Sequence, residues 1–199
     1  MQTQKRHPTN PSHPETAMTS PCPPLSDAEW PASIAPLRDG FAGQLNVYRV
    51  MAHHPALLAA WAQLRHHVVQ DSALGPERLE VVILRTGHHL GSDYEWAQHV
   101  CRARALGISD SRIRSLGGPL AEMSADDALL AGAVDTLFDA KALDPELESR
   151  LADALGREAV FDLIATVGFY STLGYLLNTY RPPIDRDIAD ELAARPLDP

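Results

Sequence analysis

At 199 residues, with 45% hydrophobic and 22% charged side chains, the chain has the length for one domain with a substantial core and the balance of an ordinary globular protein. A formal charge of −9 sets its surface against phosphate backbones, so nucleic acid is not an expected partner. Two cysteines, Cys22 and Cys101, exclude a disulfide scaffold and fit a reducing, cytoplasmic setting.

Residues 1–25 hold six of the 16 prolines and almost no large apolar side chains. They read as a mobile tail with no apolar segment of the secretory type. From Ser26 to the end the pattern predicts a single all-α domain, because no run of alternating Val, Ile and Thr bounded by turns occurs. A first helix is expected over Phe41–His53, with Leu45, Tyr48, Met51 and Ala52 on one face. Pro55 starts a second helix, running to Gln70, with Leu57, Leu58, Trp61, Leu64 and Val68 repeating at helical spacing.

Gly75 and Pro76 break the chain and open a helix to Leu90, whose apolar residues lie nearly all round it. Gly91 ends that helix, and another follows over Ser92–Leu106, closed by Gly107. Ser109 caps a short helix through Leu116, and Ser124 caps Ala125–Ala140. Asp144 and Pro145 open Pro145–Leu155, and Arg157–Tyr180 forms a long central helix. Its run from Leu163 to Tyr180 has no charge, but Thr166, Ser171, Thr172, Asn178 and Thr179 make it a core helix rather than a membrane span. Gly168 and Gly174 within it cost roughly 1 kcal/mol each against alanine, the usual mark of a close helix neighbour.

The chemistry concentrates in GSDYEWAQHV, Gly91–Val100. Glu95 and His99 stand four residues apart, one above the other on a helix face, with Ser92 a turn earlier on the same stripe. A carboxylate beside an imidazole raises the histidine pKa and makes a proton-transfer unit. The preceding helix places Glu80 among Leu79, Val81, Val82, Ile83 and Leu84, where a carboxylate needs a partner. His99 is the natural one. Tyr94 is a candidate pocket wall and Ser92 reads first as an N-cap. Arg85 reads either as an anchor for a substrate carboxylate or as one half of an ion pair, the second being favoured. His88 or His89, across the Gly91 turn, would be needed to turn the cluster into a metal site, and the expectation is no metal and no cofactor.

The stretch ERLEVVILRTGHHLGSDYEWAQHVCRARALGISDSRIRSL resembles the core of the carboxymuconolactone decarboxylase and alkylhydroperoxidase D-like superfamily. LNVYRVMAHHPALLAAWAQL resembles the segment leading into that core, so the likeness covers about Leu45 to Leu116. Peroxidase members carry a glutamate, eleven residues, then Cys-x-x-Cys-x-x-x-His. In the same register this chain has Glu80, Ser92, Glu95 and His99, with both cysteines absent. The resemblance implies a helical bundle of the alkylhydroperoxidase D-like type, assembled as a trimer or hexamer. It also implies a thiol-free branch in which His99 and Glu95 transfer protons and Glu80 orients them, acting on a small organic acid, lactone or carbonyl compound. Two other readings stay open: a residual redox enzyme using Cys101, and a non-catalytic binding module. Cys101 lies about 200° round the helix from His99, which weighs against the first.

Overall fold

The computed structural model describes residues 20–197. Among them there are ten α-helices and no strand, so the expected all-α bundle is what forms. A turn of 3₁₀-helix leads into α1 (Ala35–Arg38), followed by α2 (Asn46–Met51), α3 (Pro55–His66), α4 (Pro76–Leu90) and α5 (Asp93–Ala105). Then come α6 (Asp110–Ser115), α7 (Ala125–Ala140), α8 (Pro145–Leu155), α9 (Arg157–Tyr180) and α10 (Arg186–Ala194). Most of the expected 1–25 tail lies outside the described residues. Its described end is tied to α2: the Leu25 carbonyl accepts from Arg49 Nη1 at 2.7 Å, and the Pro23 carbonyl lies 2.8 Å from His53 Nε2.

Helix boundaries follow from local chemistry. Proline occupies the first turn of α3, α4 and α8, where its missing N–H costs nothing. The side chains of Ser92, Ser109, Ser124 and Asp144 accept from the backbone N–H three residues on, capping α5, α6, α7 and α8. Two expectations are corrected. The helix expected over Phe41–His53 contracts to α2, because residues 41–44 form turns and Leu45 is extended at φ −120°. The end of α3 widens into a π-helical turn, His67–Asp71, held to α9 by the 2.7 Å contact of His67 Nε2 with Asp162. Two helices were not anticipated, α1 and α10.

The core is centred on α4, which packs against α5, α7 and α9. Its Val81, Val82, Ile83 and Leu84 are all buried, as the all-round apolar pattern required. The helix α9 is long and apolar enough to cross a membrane, yet 56% of its most apolar window is buried inside the fold, as suits a core helix. At Gly174 a β-carbon would meet Leu90 Cδ1 at 2.6 Å, so this glycine sets how closely α9 approaches α4. Gly168 meets nothing within 4 Å and is exposed, so no neighbour within the described residues accounts for it.

The tight α4–α5 turn positions the chemistry. Gly91 adopts φ +57°, and its N–H satisfies the last carbonyls of α4. That left-handed residue reverses the chain within two positions and sets α5 alongside α4, so that Glu80 and His99 face each other.

Candidate active site

His99, Glu95 and Glu80 converge in the interior, 4%, 4% and 2% exposed respectively. His99 Nδ1 lies 2.6 Å from Glu80 Oε2, and Nε2 lies 3.4 Å from Glu95 Oε2. Glu80 is also held by Arg102, whose Nε is 3.2 Å from Oε1. The Tyr170 ring stands edge-on to the imidazole with centroids 5.0 Å apart.

Burial alone would depress the His99 pKa, but the charge and hydrogen bond of Glu80, joined by Glu95, override it and hold the group at about 9. Glu80 moves the complementary way: burial raises its pKa, yet His99 and Arg102 together bring it below the ordinary carboxylate value. At neutral pH His99 is therefore an imidazolium, with Nδ1 facing Glu80 and Nε2 facing Glu95. Both ring nitrogens carry a proton, one directed at Glu80 and the other at Glu95.

A small cavity of about 30 Å³ adjoins this centre. Glu95, His99 and Arg102 reach it from one side, Tyr48 and Arg65 from α2 and α3, and Tyr170 from α9. Its volume is about one water's share of the liquid. Burial pushes the Tyr48 hydroxyl up to about 12, so it stays protonated. A larger cleft of about 950 Å³ lies between the N-termini of α4 and α7, but Glu80, Glu95 and His99 do not line it.

Tyr94 is a wall, and on two sides. It lines the cavity and also an outer cleft of about 630 Å³ bordered by Gly91, Ser92, Asn178 and Arg181. Its hydroxyl donates to Asp185 and accepts from the Val47 N–H at 3.3 Å. Asp185 stands at the N-cap position of α10 without capping it. Its carboxylate instead takes Gln98 Nε2 at 2.5 Å and the Asn46 N–H at 2.9 Å. Burial raises the Asp185 pKa against these donors.

The remaining expected site residues lie elsewhere. The Ser92 hydroxyl is buried and receives the Glu95 N–H at 3.5 Å as an N-cap. Arg85 stands outside the cavity, locked by two bonds of 2.6 and 2.7 Å to Asp135 and two more to the carbonyls of Leu116 and Gly118. Its fork is filled, so the carboxylate-anchor reading of Arg85 gives way to the ion pair. His88 packs near Trp96, and burial with the Arg85 charge lowers its pKa. His89 contacts Asp135 at 2.6 Å and stacks on Phe138. Neither histidine joins His99, and among the described residues no group of three or more His, Cys, Asp or Glu side chains is arranged to hold a metal ion.

Cys101 is buried away from the cavity. Burial pushes its thiol up to about 11, and Glu191 on α10 adds to the shift, so it is not a thiolate near neutrality. Tyr48, Arg65, Gln98 and Asp185 were not anticipated as site residues. Only Asp185 left a signal, as an aspartate preceding a short amphipathic stretch with Ile188 and Leu192.

Fold and site together define a class: all-α bundles whose buried centre is a carboxylate–imidazole–carboxylate relay without a thiol pair. Residues 55–134, from α3 into α7 and including Glu80, Glu95 and His99, match the model of the carboxymuconolactone decarboxylase family. No curated protein matches the chain.

Proposed function

We propose that this protein is a carboxymuconolactone decarboxylase-like enzyme catalysing proton transfer on a small organic acid, lactone or carbonyl compound. The observation that carries this reading is the buried relay Glu80–His99–Glu95 beside a cavity. In a decarboxylation, the C–C bond to the departing carboxylate breaks and its electron pair moves into the adjacent carbonyl system as an enolate. Carbon dioxide leaves, His99 Nε2–H protonates the enolate carbon, and solvent restores the proton to the imidazole. In an isomerisation Glu95 removes the proton and His99 returns one elsewhere. Glu80 keeps the imidazole oriented and charged throughout.

The decisive experiment is a panel of γ-carboxylated lactones and β-keto acids assayed for carbon dioxide release and for isomerisation. With a substrate in hand, His99→Gln should lower turnover by roughly 10²–10⁴-fold. Turnover close to that of the parent would remove His99 from the mechanism.

A second reading, a small-molecule-binding module without catalysis, draws on the cavity's size of about 30 Å³. It predicts ligand-induced rises in melting temperature with no turnover of any bound compound. A peroxidase role has less support, given the high pKa of Cys101. The setting we propose is a cytoplasmic homo-oligomer, trimer or hexamer. In support, α9 exposes Phe161 at 70% and Tyr175 at 62%. Phe161→Glu should then lower the molecular mass in solution, and an unchanged mass would exclude that face.

A further inference from the structure

Many arginines in this fold take carboxylate partners, from the buried Arg85 to the more exposed Arg102. Arg85 takes Asp135, Arg49 takes Asp27, Arg102 takes Glu80, Arg104 takes Asp110 and Arg112 takes Asp127. Arg65, half-buried in the last turn of α3, is the departure. Its guanidinium carbon sits 4.0 Å over the centroid of Phe41 and 5.7 Å from that of Tyr48. Its Nε donates to the Tyr48 hydroxyl at 3.3 Å. No carboxylate among the described residues reaches it, and its two Nη groups have no protein acceptor there. Trp61, one turn earlier on α3, stacks on Phe169 with centroids 4.3 Å apart and fixes this part of α3 to α9. Arg65 is thus held in place by aromatic rings, at the wall of the His99 cavity, with the end of its fork open.

Charge points the same way. Around the cavity, His99 is paired with Glu80 and Glu95, and Arg102 with Glu80. Of the charged side chains lining the cavity, Arg65 alone has no ion-pair partner among the described residues. A guanidinium without an ion-pair partner is complementary to one negative charge on a ligand, and the planar Nη pair matches a carboxylate. The Tyr48 hydroxyl accepts from Arg65, so its own proton is available as a further donor.

We propose that Arg65 is the specificity-determining anchor of the cavity and that the substrate carries a carboxylate which it binds end-on through its Nη groups. The anchored carboxylate is retained through the reaction, because a guanidinium that stabilises it in the ground state would oppose its loss. The reacting carbon is a different one, presented to His99 and Glu95. This rests on the proton-transfer reading for the role of the reacting carbon, but the anion subsite itself is tested without turnover.

The experiment is a titration of the full chain with acetate and with acetamide at matched ionic strength, read by melting temperature and by the resonances of ¹⁵N-labelled histidines. Acetate should raise the melting temperature and shift the His99 signals, while isosteric acetamide should do neither. Arg65→Gln should weaken acetate binding by at least about tenfold, the effect of losing one charge-assisted interaction. Arg65→Lys, which keeps the charge and loses the fork, should fall between the two, and it decides the matter if the glutamine variant does not fold. Equal responses to acetate and acetamide, no response to either, or unchanged acetate affinity in the variants would overturn the proposal. Loss of the proton-transfer reading through an active His99→Gln variant would leave these binding results standing, so the two failures are separable.

Discussion

The Tyr94 hydroxyl donates to the carboxylate of Asp185, a residue 91 positions further along the chain, and so fastens the C-terminal segment over the wall of the His99 cavity. The same carboxylate takes donors from Gln98 on α5 and from the start of α2, so three parts of the chain meet at one buried anion. Tyr94 separates the cavity from the outer cleft, and the cavity has room for about one water. Asp185 thus holds one wall of the cavity, Tyr94, in place.

Tyr94→Phe keeps the ring and removes the latch. Asp185 then loses a donor and the Val47 N–H loses its acceptor, which should cost about 1–2 kcal/mol. For a chain of this length that is a fall of roughly 2–8 °C in melting temperature. A melting curve identical to the parent's would mean that the hydroxyl is already served by water and latches nothing.

The relay makes a second prediction that needs no substrate. Nuclear magnetic resonance titration of ¹⁵N-labelled histidine should place His99 at about 9, against 6.5 for an unperturbed imidazole. Glu80→Gln removes the largest interaction holding the proton, so the midpoint should drop by at least about one unit. The stability consequence has a definite sign. Because the folded pKa is raised, the His99 contribution is complete below about 6.5 and is lost as pH climbs from there through about 9. The gap in melting temperature between the parent and His99→Gln should therefore narrow over that interval. A gap that widens with rising pH would contradict the charged imidazole.

How much of this was readable beforehand depended on the range of the signal. Pro76, Pro145, Ser124 and Gly91 act on their own neighbours, so both ends of α4 and the starts of α7 and α8 could be read from the residues that punctuate them. The pairing of Glu80 with His99 was readable for a related reason: a tight turn joins two consecutive helices, and helical spacing carries the rest. Arg65 and Tyr48 come from elements that meet α5 only through tertiary packing, with nothing in their local sequence to mark the encounter, and the signal at Asp185 marks a helix start rather than its partners. The overlong Phe41–His53 helix failed because an apolar face at helical spacing persists through turns. The segment before Asn46 is turned by contacts such as that of Gly43, where a β-carbon would lie 2.0 Å from the Arg38 carbonyl.

Cys101 gives a third prediction. With its thiol at about 11 and covered by α10, it should resist a water-soluble thiol reagent at neutral pH in the native protein, leaving Cys22 to react. In denaturant both should react. Any peroxide consumption by the parent should be unchanged in Cys101→Ser. Rapid native labelling of Cys101, or loss of peroxide turnover in the serine variant, would bring the redox reading back.

The two glycines of α9 make a paired prediction, because they have the same backbone cost and opposite surroundings. At Gly168 a β-carbon meets nothing within 4 Å, so alanine gains the helix propensity of about 1 kcal/mol and should raise the melting temperature by roughly 2–4 °C. At Gly174 the same methyl group meets Leu90 Cδ1 at 2.6 Å and Leu90 Cβ at 3.4 Å. Leu90 can swing its terminal carbon aside but not its β-carbon, and overpacking of this kind costs about 1–3 kcal/mol. Gly174→Ala should therefore melt below Gly168→Ala, with the propensity gain cancelled or reversed. Equal gains in both would mean that α9 and α4 are further apart than Leu90 places them. A concentration-dependent loss in Gly168→Ala would show instead that a second copy of the chain packs against the exposed face carrying Phe161 and Tyr175, where a glycine permits backbone approach and a methyl group obstructs it.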